Sequence, residues 1–124
     1  LINEDIPKIL SIHSFTPVWK GKKRDIEVGI LWDKDDRLSK IFLNSLKGRK
    51  IGDNKPYSGR LKNDTLFRHG SKNGLPHILI ELRQDLLKKK KDRLRWAKKI
   101  HKILKENENL INTFSIKKYG SYAL

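Results

Sequence analysis

The sequence predicts an α/β layered fold, in which a small sheet packs against helices. Three short runs of β-branched and aliphatic side chains, residues 9–12, 26–32 and 77–82, have the length and composition of buried strands. Segments with apolar residues every three or four positions separate or follow these runs, as in amphipathic helices. Three strands alone make a sheet with exposed edges, so the 124 residues are expected to form an incomplete domain.

The first strand and the segment after it are bounded by turn-forming residues. The strand is expected to end at His13, because Thr16 and Pro17 interrupt the extended pattern. Residues 20–23 combine one glycine with three lysines, which predicts a turn before the second strand. His13 is therefore expected where a buried strand ends, a position at which open α/β sheets gather ligand-binding groups.

The first predicted helix follows three aspartates. Asp33, Asp35 and Asp36 are N-cap candidates, because their side-chain oxygens can accept hydrogen bonds from the free amides of the first turn. Gly48 is expected to end the helix. The apolar positions at helical spacing between these ends are Leu38, Ile41, Phe42 and Leu46.

A short helix is expected through Leu66, stopping near Gly74, before the third strand. Residues 86–104 form the clearest predicted helix, with apolar side chains on about half of its wheel and lysines on most of the rest. Such a helix covers a core with its apolar face, although basic amphipathic helices also bind membranes or grooves in other proteins. Residues 1–105 are expected to be the folded portion and residues 106–124 a tail.

The charge of the chain is strongly positive, with 29 Lys and Arg against 14 Asp and Glu and a formal net charge of +15. Residues 86–124 hold 12 basic and 3 acidic residues, so most of the excess lies in one segment. Lysines make up 21 of the 29 basic residues, whereas bidentate phosphate recognition favours arginine. This distribution argues against nucleic-acid binding as the main function and leaves it as an alternative.

The composition excludes several other classes. The chain has no cysteine, so it has neither disulfides nor thiolate metal sites. No apolar run approaches the roughly 20 residues of a membrane span, and the first residues do not resemble a signal peptide. A cytoplasmic location is therefore expected. Because the chain starts at Leu1 and contains no methionine, we expect the sequence to begin inside a longer protein.

Two side chains are candidates for catalysis. His13 follows a buried strand, and neutral imidazole is a common zinc ligand, although a single histidine can also be structural. Glu81 lies inside an apolar strand, where an ionised carboxylate is costly unless it is paired or functional. Strand periodicity puts Glu81 and Arg83 on one face, so a buried ion pair and a general base both remain possible.

Residues 52–60 have no periodicity and are rich in turn formers, which predicts a loop that carries Tyr57 and Arg60. Arg60 could hold a substrate carboxylate through two hydrogen bonds, and Tyr57 could contact a reacting carbonyl. Equally, both side chains could only tie the loop together. The sequence contains no Gly-rich phosphate loop, no HExxH and no G-x-S-x-G motif.

Three long segments resemble successive blocks of the N-formylglutamate amidohydrolase family, in the order and spacing of that family. They are residues 11–38 (SIHSFTPVWKGKKRDIEVGILWDKDDRL), 51–60 (IGDNKPYSGR) and 65–87 (TLFRHGSKNGLPHILIELRQDLL). The resemblance covers residues 8–104. It extends to the wider zinc carboxypeptidase-like group, whose zinc-ligand motif is similar to His13-Ser14-Phe15 and whose catalytic-glutamate motif is similar to Glu81-Leu82-Arg83.

The resemblance implies a layered mixed sheet flanked by helices, of the zinc carboxypeptidase-like (phosphorylase/hydrolase-like) type. It implies amide hydrolysis in histidine degradation, with N-formyl-L-glutamate and water giving formate and L-glutamate, or the same reaction on a related N-acyl amino acid. In this scheme His13 is a zinc ligand and Glu81 the general base. Tyr57, Arg60 and Arg83 would bind the substrate carboxylates or the developing oxyanion.

One departure from the family limits this expectation. Family members are longer, and their N-terminal half brings the other zinc ligands, whereas a catalytic zinc needs about three protein ligands and this chain offers His13 alone. We therefore expect the isolated chain to be inactive and to need the N-terminal half of the same enzyme as a partner. The alternatives are a basic nucleic-acid-binding module, which would bury Glu81 against Arg83, and a non-catalytic remnant.

Overall fold

The computed structural model describes residues 6–59 and 65–122, and it contains two sheets. The strands are β1 Ile9–Phe15, β2 Val18–Trp19, β3 Lys22–Lys23, β4 Val28–Leu31, β5 Ile51–Asp53 and β6 His77–Arg83. The helices are α1 Arg37–Ser45, α2 Lys90–Glu106 and α3 Glu108–Ile111, with a π-helical turn at Phe67–Ser71 and a 3-10 turn at Gln84–Leu87. The predicted α/β fold class, with a mixed sheet flanked by helices, is confirmed.

The main sheet has the order β1-β6-β4-β5, so the third predicted strand is central and the first lies at an edge. β1 runs parallel to β6, β4 runs antiparallel to β6, and β5 runs parallel to β4. Six of the seven β6 residues are buried, which is why this strand is a nearly continuous apolar run and not an alternating one. A charged residue inside β6 is consequently an exception that calls for a physical reason.

The two faces of the sheet are covered unequally. On one face, Ile78, Ile80 and Leu82 of β6 pack with the apolar positions that were predicted for α1 and with side chains of α2, Trp96 and Ile103. On the opposite face a smaller cluster forms between Leu31, Leu66 and Leu79, with Ile9 packed against it. The odd-numbered residues of β6 belong to this second, thinner face, and Glu81 is one of them.

Helix α1 begins and ends close to its predicted bounds. Its N-cap residue, Asp36, makes no side-chain capping hydrogen bond, and the first amide, that of Arg37, donates to the Asp35 carboxylate at 3.1 Å. Leu38 and Phe42 are fully buried at the predicted spacing. After α1 the chain turns at Gly48, whose φ of +89° lies in the left-handed region that glycine tolerates.

Helix α2 spans 17 residues and begins at Lys90, later than the predicted start at residue 86, because Gln84–Leu87 form a 3-10 turn. Trp96 and Ile103 are buried and most of its lysines are exposed, as the amphipathic pattern predicts. Within residues 6–59 and 65–122, no helix is both long enough and apolar enough to cross a bilayer. The side of α2 opposite its lysines covers the core through Trp96 and Ile103.

Two structural features, the strand β5 and a small hairpin, were not predicted from the sequence. Residues 51–53 form the short strand β5, although their Gly-Asp composition favours a loop, because β4 offers them a paired edge. The turn predicted at residues 20–23 is shorter in the structure, where Lys20 and Gly21 join β2 to β3 in a small hairpin and Lys22–Lys23 form β3 itself. Lys20 and Gly21 have φ values of 50° and 77°, which match the twist of a two-residue hairpin turn.

The C-terminal segment, residues 112–122, is bound to the start of α1. The buried carboxylate of Asp33 accepts hydrogen bonds from the Ser121 hydroxyl and from the Tyr122 amide. The guanidinium of Arg37 donates to the Ser115 carbonyl while it pairs with Asp35. The aspartate-rich sequence after β4 thus serves two purposes, since it starts a helix and it holds the end of the described chain.

Candidate active site

His13 and Glu81 are neighbours across the parallel pair formed by β1 and β6. The pairing register places His13 directly opposite Glu81, two residues before Phe15 meets Arg83. Register partners on parallel strands point to the same face, and the His13 Nδ1 atom lies 3.7 Å from Glu81 Oε1. This distance exceeds that of a hydrogen bond but permits a strong electrostatic interaction. β1 continues two residues beyond His13, so the imidazole lies inside the strand and not at its end.

Glu81 is 6% exposed, and within the described part of the chain its Oε2 atom has no hydrogen-bond partner. Burial raises the pKa of this carboxyl above its ordinary value, while the positive charges of His13 and Arg24 act in the opposite direction. An unsatisfied buried polar atom costs about 1–3 kcal/mol. A buried carboxylate with an unused oxygen is thus held at some cost in stability, which is characteristic of functional groups.

The His13 side chain is 58% exposed, in contrast to its neighbour, so its imidazole is open to solvent or to a ligand. An imidazole nitrogen next to a carboxylate oxygen is a donor set of the kind that zinc prefers. Across residues 6–59 and 65–122, however, no group of three or more His, Cys, Asp or Glu side chains comes together to form a metal site. The donor types fit a zinc ion, but the described residues alone do not make up a full ligand set.

Tyr57 lies in the loop that follows β5, and the residue is 43% exposed. This loop folds tightly over the sheet, because a Cβ atom on Gly29 of β4 or on Gly52 of β5 would overlap the Lys55 carbonyl oxygen. The Tyr57 ring centroid lies 5.2 Å from the guanidinium carbon of Arg24. Arg60, the other residue predicted to act from this loop, lies outside the described residues.

Arg83 shares a face with Glu81 but does not pair with it. Its Nε donates to Asp85 at 2.7 Å, its Nη2 donates to the same carboxylate at 3.0 Å, and its Nη1 donates to the Arg24 and Asp25 carbonyl oxygens. The hydrogen bond from Arg83 lowers the pKa of Asp85. Through these hydrogen bonds Arg83 links β6 to the segment before β4. A role for Arg83 in substrate binding stays a prediction.

Arg24 is a residue near the site that the sequence interpretation did not single out. Its guanidinium carbon lies within 5.6 Å of three ring centroids, which belong to Phe15, Trp19 and Tyr57. These rings come from the end of β1, from the hairpin and from the loop after β5, so three separate segments meet around one cation. The position of Arg24 shortly after Trp19 is the only local indication of these contacts in the sequence, and it is too weak to predict them.

Comparison with known proteins gives a consistent result. A model of the N-formylglutamate amidohydrolase family matches residues 4–88. The crystal structure of gene product Atu2144 from Agrobacterium tumefaciens superposes with a TM-score of 0.72 at 32% sequence identity. The match covers 84% of this chain and 43% of that one, so this chain spans less than half the length of that protein. No curated protein gave a significant match.

Proposed function

Because this chain belongs to the N-formylglutamate amidohydrolase family, we propose that it carries part of the active site of a zinc-dependent amide hydrolase. The proposed reaction is the hydrolysis of N-formyl-L-glutamate, or of a related N-acyl amino acid, to the acid and the free amino acid. For the formyl compound this is a step in histidine breakdown. The observation that carries the proposal is the exposed imidazole of His13 beside the buried, incompletely hydrogen-bonded carboxylate of Glu81.

Glu81 is proposed as the general base. It takes a proton from water as the water oxygen forms a bond to the amide carbon, and it returns that proton to the amine nitrogen as the C–N bond breaks. A carboxyl whose pKa is raised by burial is better matched to this exchange near neutral pH than an exposed one. The nearby charge of Arg24 keeps the ionised form accessible, so the base is present when water must be activated.

His13 is proposed to hold zinc through an imidazole nitrogen. When bound, zinc supplies Lewis acidity toward a carbonyl oxygen and makes a water molecule more acidic. Because a catalytic zinc needs about three protein ligands, we propose that the others come from the N-terminal half of the enzyme. The Agrobacterium protein is long enough to include such a second half, since the match covers 43% of its chain.

Tyr57 and Arg60 are proposed to contact the substrate from the loop after β5. The exposed phenol of Tyr57 lies on the Arg24 side of the site, which suits a contact with the developing oxyanion or a carboxylate. The motifs His13-Ser14-Phe15 and Glu81-Leu82-Arg83 occupy facing positions on β1 and β6. This pairing supports our proposal that the fold is of the zinc carboxypeptidase-like type.

The function is tested in a chimera, in which the present chain replaces the corresponding part of a family enzyme with measured N-formyl-L-glutamate hydrolysis. We expect the chimera to be active and Glu81→Gln to lower its kcat by about 10²–10⁴-fold, because the general base is lost. Glu106→Gln, which changes an exposed carboxylate on α2, is the matched control and should leave kcat unchanged. A Glu81→Gln chimera with near-normal kcat would refute the assignment of the base.

Zinc binding is measured separately on the 124-residue chain. With His13 as its one proposed ligand, the chain should bind zinc weakly and should not hydrolyse N-formyl-L-glutamate. His13→Ala should reduce the zinc content of the active chimera, whereas His69→Ala, which removes an exposed histidine from the π-helical turn, should not. Tight, stoichiometric zinc uptake by the chain alone would contradict the proposed division of the ligands.

A further inference from the structure

The site contains a cation whose position is fixed by aromatic rings and whose hydrogen-bonding capacity is largely unused. Arg24 precedes β4, and its Nη1 atom donates to the Thr16 carbonyl at 3.3 Å and, at the limit of hydrogen bonding, to the Thr16 hydroxyl at 3.5 Å. Within residues 6–59 and 65–122, its Nε and Nη2 atoms have no acceptor among the hydrogen bonds of the structure. A guanidinium has five N–H donors, so most of the fork is free for another group.

The rings around Arg24 hold the side chain on the face that carries the candidate site. Phe15 lies two residues after His13 on β1, and alternate residues of a strand share a face. The Arg24 guanidinium carbon lies 5.6 Å from the Phe15 ring centroid, and Trp19 and Tyr57 contribute rings at similar distances. Each such contact contributes roughly 0.5–1 kcal/mol at exposed sites, so three of them immobilise a side chain that otherwise has many rotamers.

The surroundings of Arg24 are suited to an anion. Arg24 lines a cavity of about 350 Å³ next to the candidate site, whose lining includes neither His13 nor Glu81. Its charged lining residues are Arg24, Lys23, Lys50 and Arg83 on the positive side, and Asp25 and Asp85 on the negative side. Because Asp85 is neutralised by its pair with Arg83, the remaining charge of the cavity is positive. Because Arg24 also contacts the ring of Phe15, two residues after His13 on the same face of β1, it borders the candidate site as well as this cavity.

We propose that Arg24 binds a carboxylate of the acyl amino acid substrate beside the His13–Glu81 pair, through the free in-plane donors of its guanidinium. This inference rests on the proposed function for the identity of the ligand. Arg24, and not Arg83, takes the role because the Arg83 donors are occupied by Asp85 and by two backbone carbonyls. A planar fork held in place by rings loses little entropy when it binds a carboxylate, which favours arginine over lysine at this position.

The test measures binding of N-acetyl-L-glutamate to the 124-residue chain by NMR, through the Arg24 Nε–Hε signal and the Trp19 indole signal. N-Acetyl-L-glutamine amide, which has no carboxylate, is the control compound. We expect saturable binding of the dicarboxylate alone and an increase in Kd of about 10-fold or more for Arg24→Gln, as charge-assisted hydrogen bonds are lost. Arg24→Lys keeps the charge and the cation–π contacts, so it should weaken binding by a smaller factor. Its residual binding shows that a chain substituted at this position still folds.

Arg49→Gln is the matched control for net charge. The Arg49 guanidinium also lies over an aromatic ring, that of Trp96 at 5.4 Å, but it is not among the residues around the candidate site. This variant should change the Kd by less than about twofold, because a distant exposed charge is screened by salt. An equal loss of affinity in Arg49→Gln and Arg24→Gln would overturn the assignment, and so would the absence of saturable binding by the unmodified chain.

Glu81→Gln separates this inference from the proposed function. If it abolishes hydrolysis in the chimera while dicarboxylate binding still depends on Arg24, both assignments are supported. If hydrolysis depends on Glu81 but binding does not depend on Arg24, the carboxylate site is wrong and the hydrolase assignment stands. If binding depends on Arg24 and no hydrolysis is found, the carboxylate site stands and the hydrolase assignment fails.

Discussion

Replacing Glu81 by glutamine should make the zinc-free chain more stable at neutral pH. The carboxylate is buried, one of its oxygens has no partner among the described residues, and its other oxygen faces a half-exposed imidazole 3.7 Å away. Glutamine has the same shape and no charge, so it removes the desolvation penalty of the ionised form without opening a cavity. Active-site residues often lower the stability of the fold, so a substitution that abolishes activity can increase stability.

The size of the effect follows from the contacts of Glu81. An unsatisfied buried polar group costs about 1–3 kcal/mol. Glutamine still places a polar atom at the position of Oε2, and it loses the attraction to His13 and Arg24, so only part of this cost is recovered. We expect a gain of about 1 kcal/mol in the free energy of unfolding, which corresponds to a rise in Tm of roughly 4 °C for a domain of this size.

The gain should depend on pH in a defined direction. Because burial raises the pKa of Glu81 in the folded chain above the ordinary value of 4.5, the folded state holds this proton more tightly than the unfolded state. Ionisation of Glu81 therefore lowers the stability of the unmodified chain as the pH rises from the unfolded pKa through the folded one. The difference between Glu81→Gln and the unmodified chain should be small below the unfolded pKa, should grow through this window, and should then level off.

The assay is thermal unfolding followed by circular dichroism from about pH 4 to about pH 8, with a chelator present to exclude metal. Taking the difference between two chains at each pH cancels the other titrating groups. Glu106→Gln, which changes an exposed carboxylate, should give a difference near zero throughout. A Glu81→Gln chain that is less stable at neutral pH, or a difference that does not change with pH, would refute the reasoning.

Two further expectations concern the framework of the site. Arg37→Ala should lower the free energy of unfolding, measured in urea, by about 3 kcal/mol, because it leaves the buried Asp35 carboxylate without its cation. Arg37→Lys should restore only part of this stability. If the alanine variant is as stable as the unmodified chain within experimental error, the ion pair is dispensable. Gly29→Ala should lower stability by about 1–3 kcal/mol, because its Cβ would overlap the Lys55 carbonyl and displace the loop that carries Tyr57. An unchanged thermal transition for Gly29→Ala would mean that this loop is not packed on β4.

The elements with strong periodicity could be predicted from the sequence, and the weakly patterned ones could not. The spacing of Leu38, Ile41 and Phe42 predicted α1, since helical period and burial coincide there. Strand β5 was missed because three residues with a glycine have no period of their own. It forms only where β4 provides hydrogen-bonding partners, which is a tertiary effect.

The sequence likewise predicted some residues of the candidate site but not their contacts. A carboxylate inside an apolar strand made Glu81 conspicuous, but Arg83 and His13 were both possible partners on sequence grounds. The structure pairs Arg83 with Asp85, because the chain enters a 3-10 turn directly after β6 and brings that carboxylate back within reach. Arg24 was not predicted, since the rings around it are contributed by segments distant from one another in the sequence.

The pairing of β1 with β6 has a consequence for insertions and deletions. His13 faces Glu81 only because residue 9 is aligned with residue 77 at the start of the ladder, and every later pair follows from that alignment. Losing or gaining one residue in β1 would turn the imidazole to the opposite side of the sheet while most backbone hydrogen bonds re-formed. Such a protein would keep its fold and separate the two side chains of the candidate site, so the spacing from Ile9 to His13 is as much a part of that site as the side chains themselves.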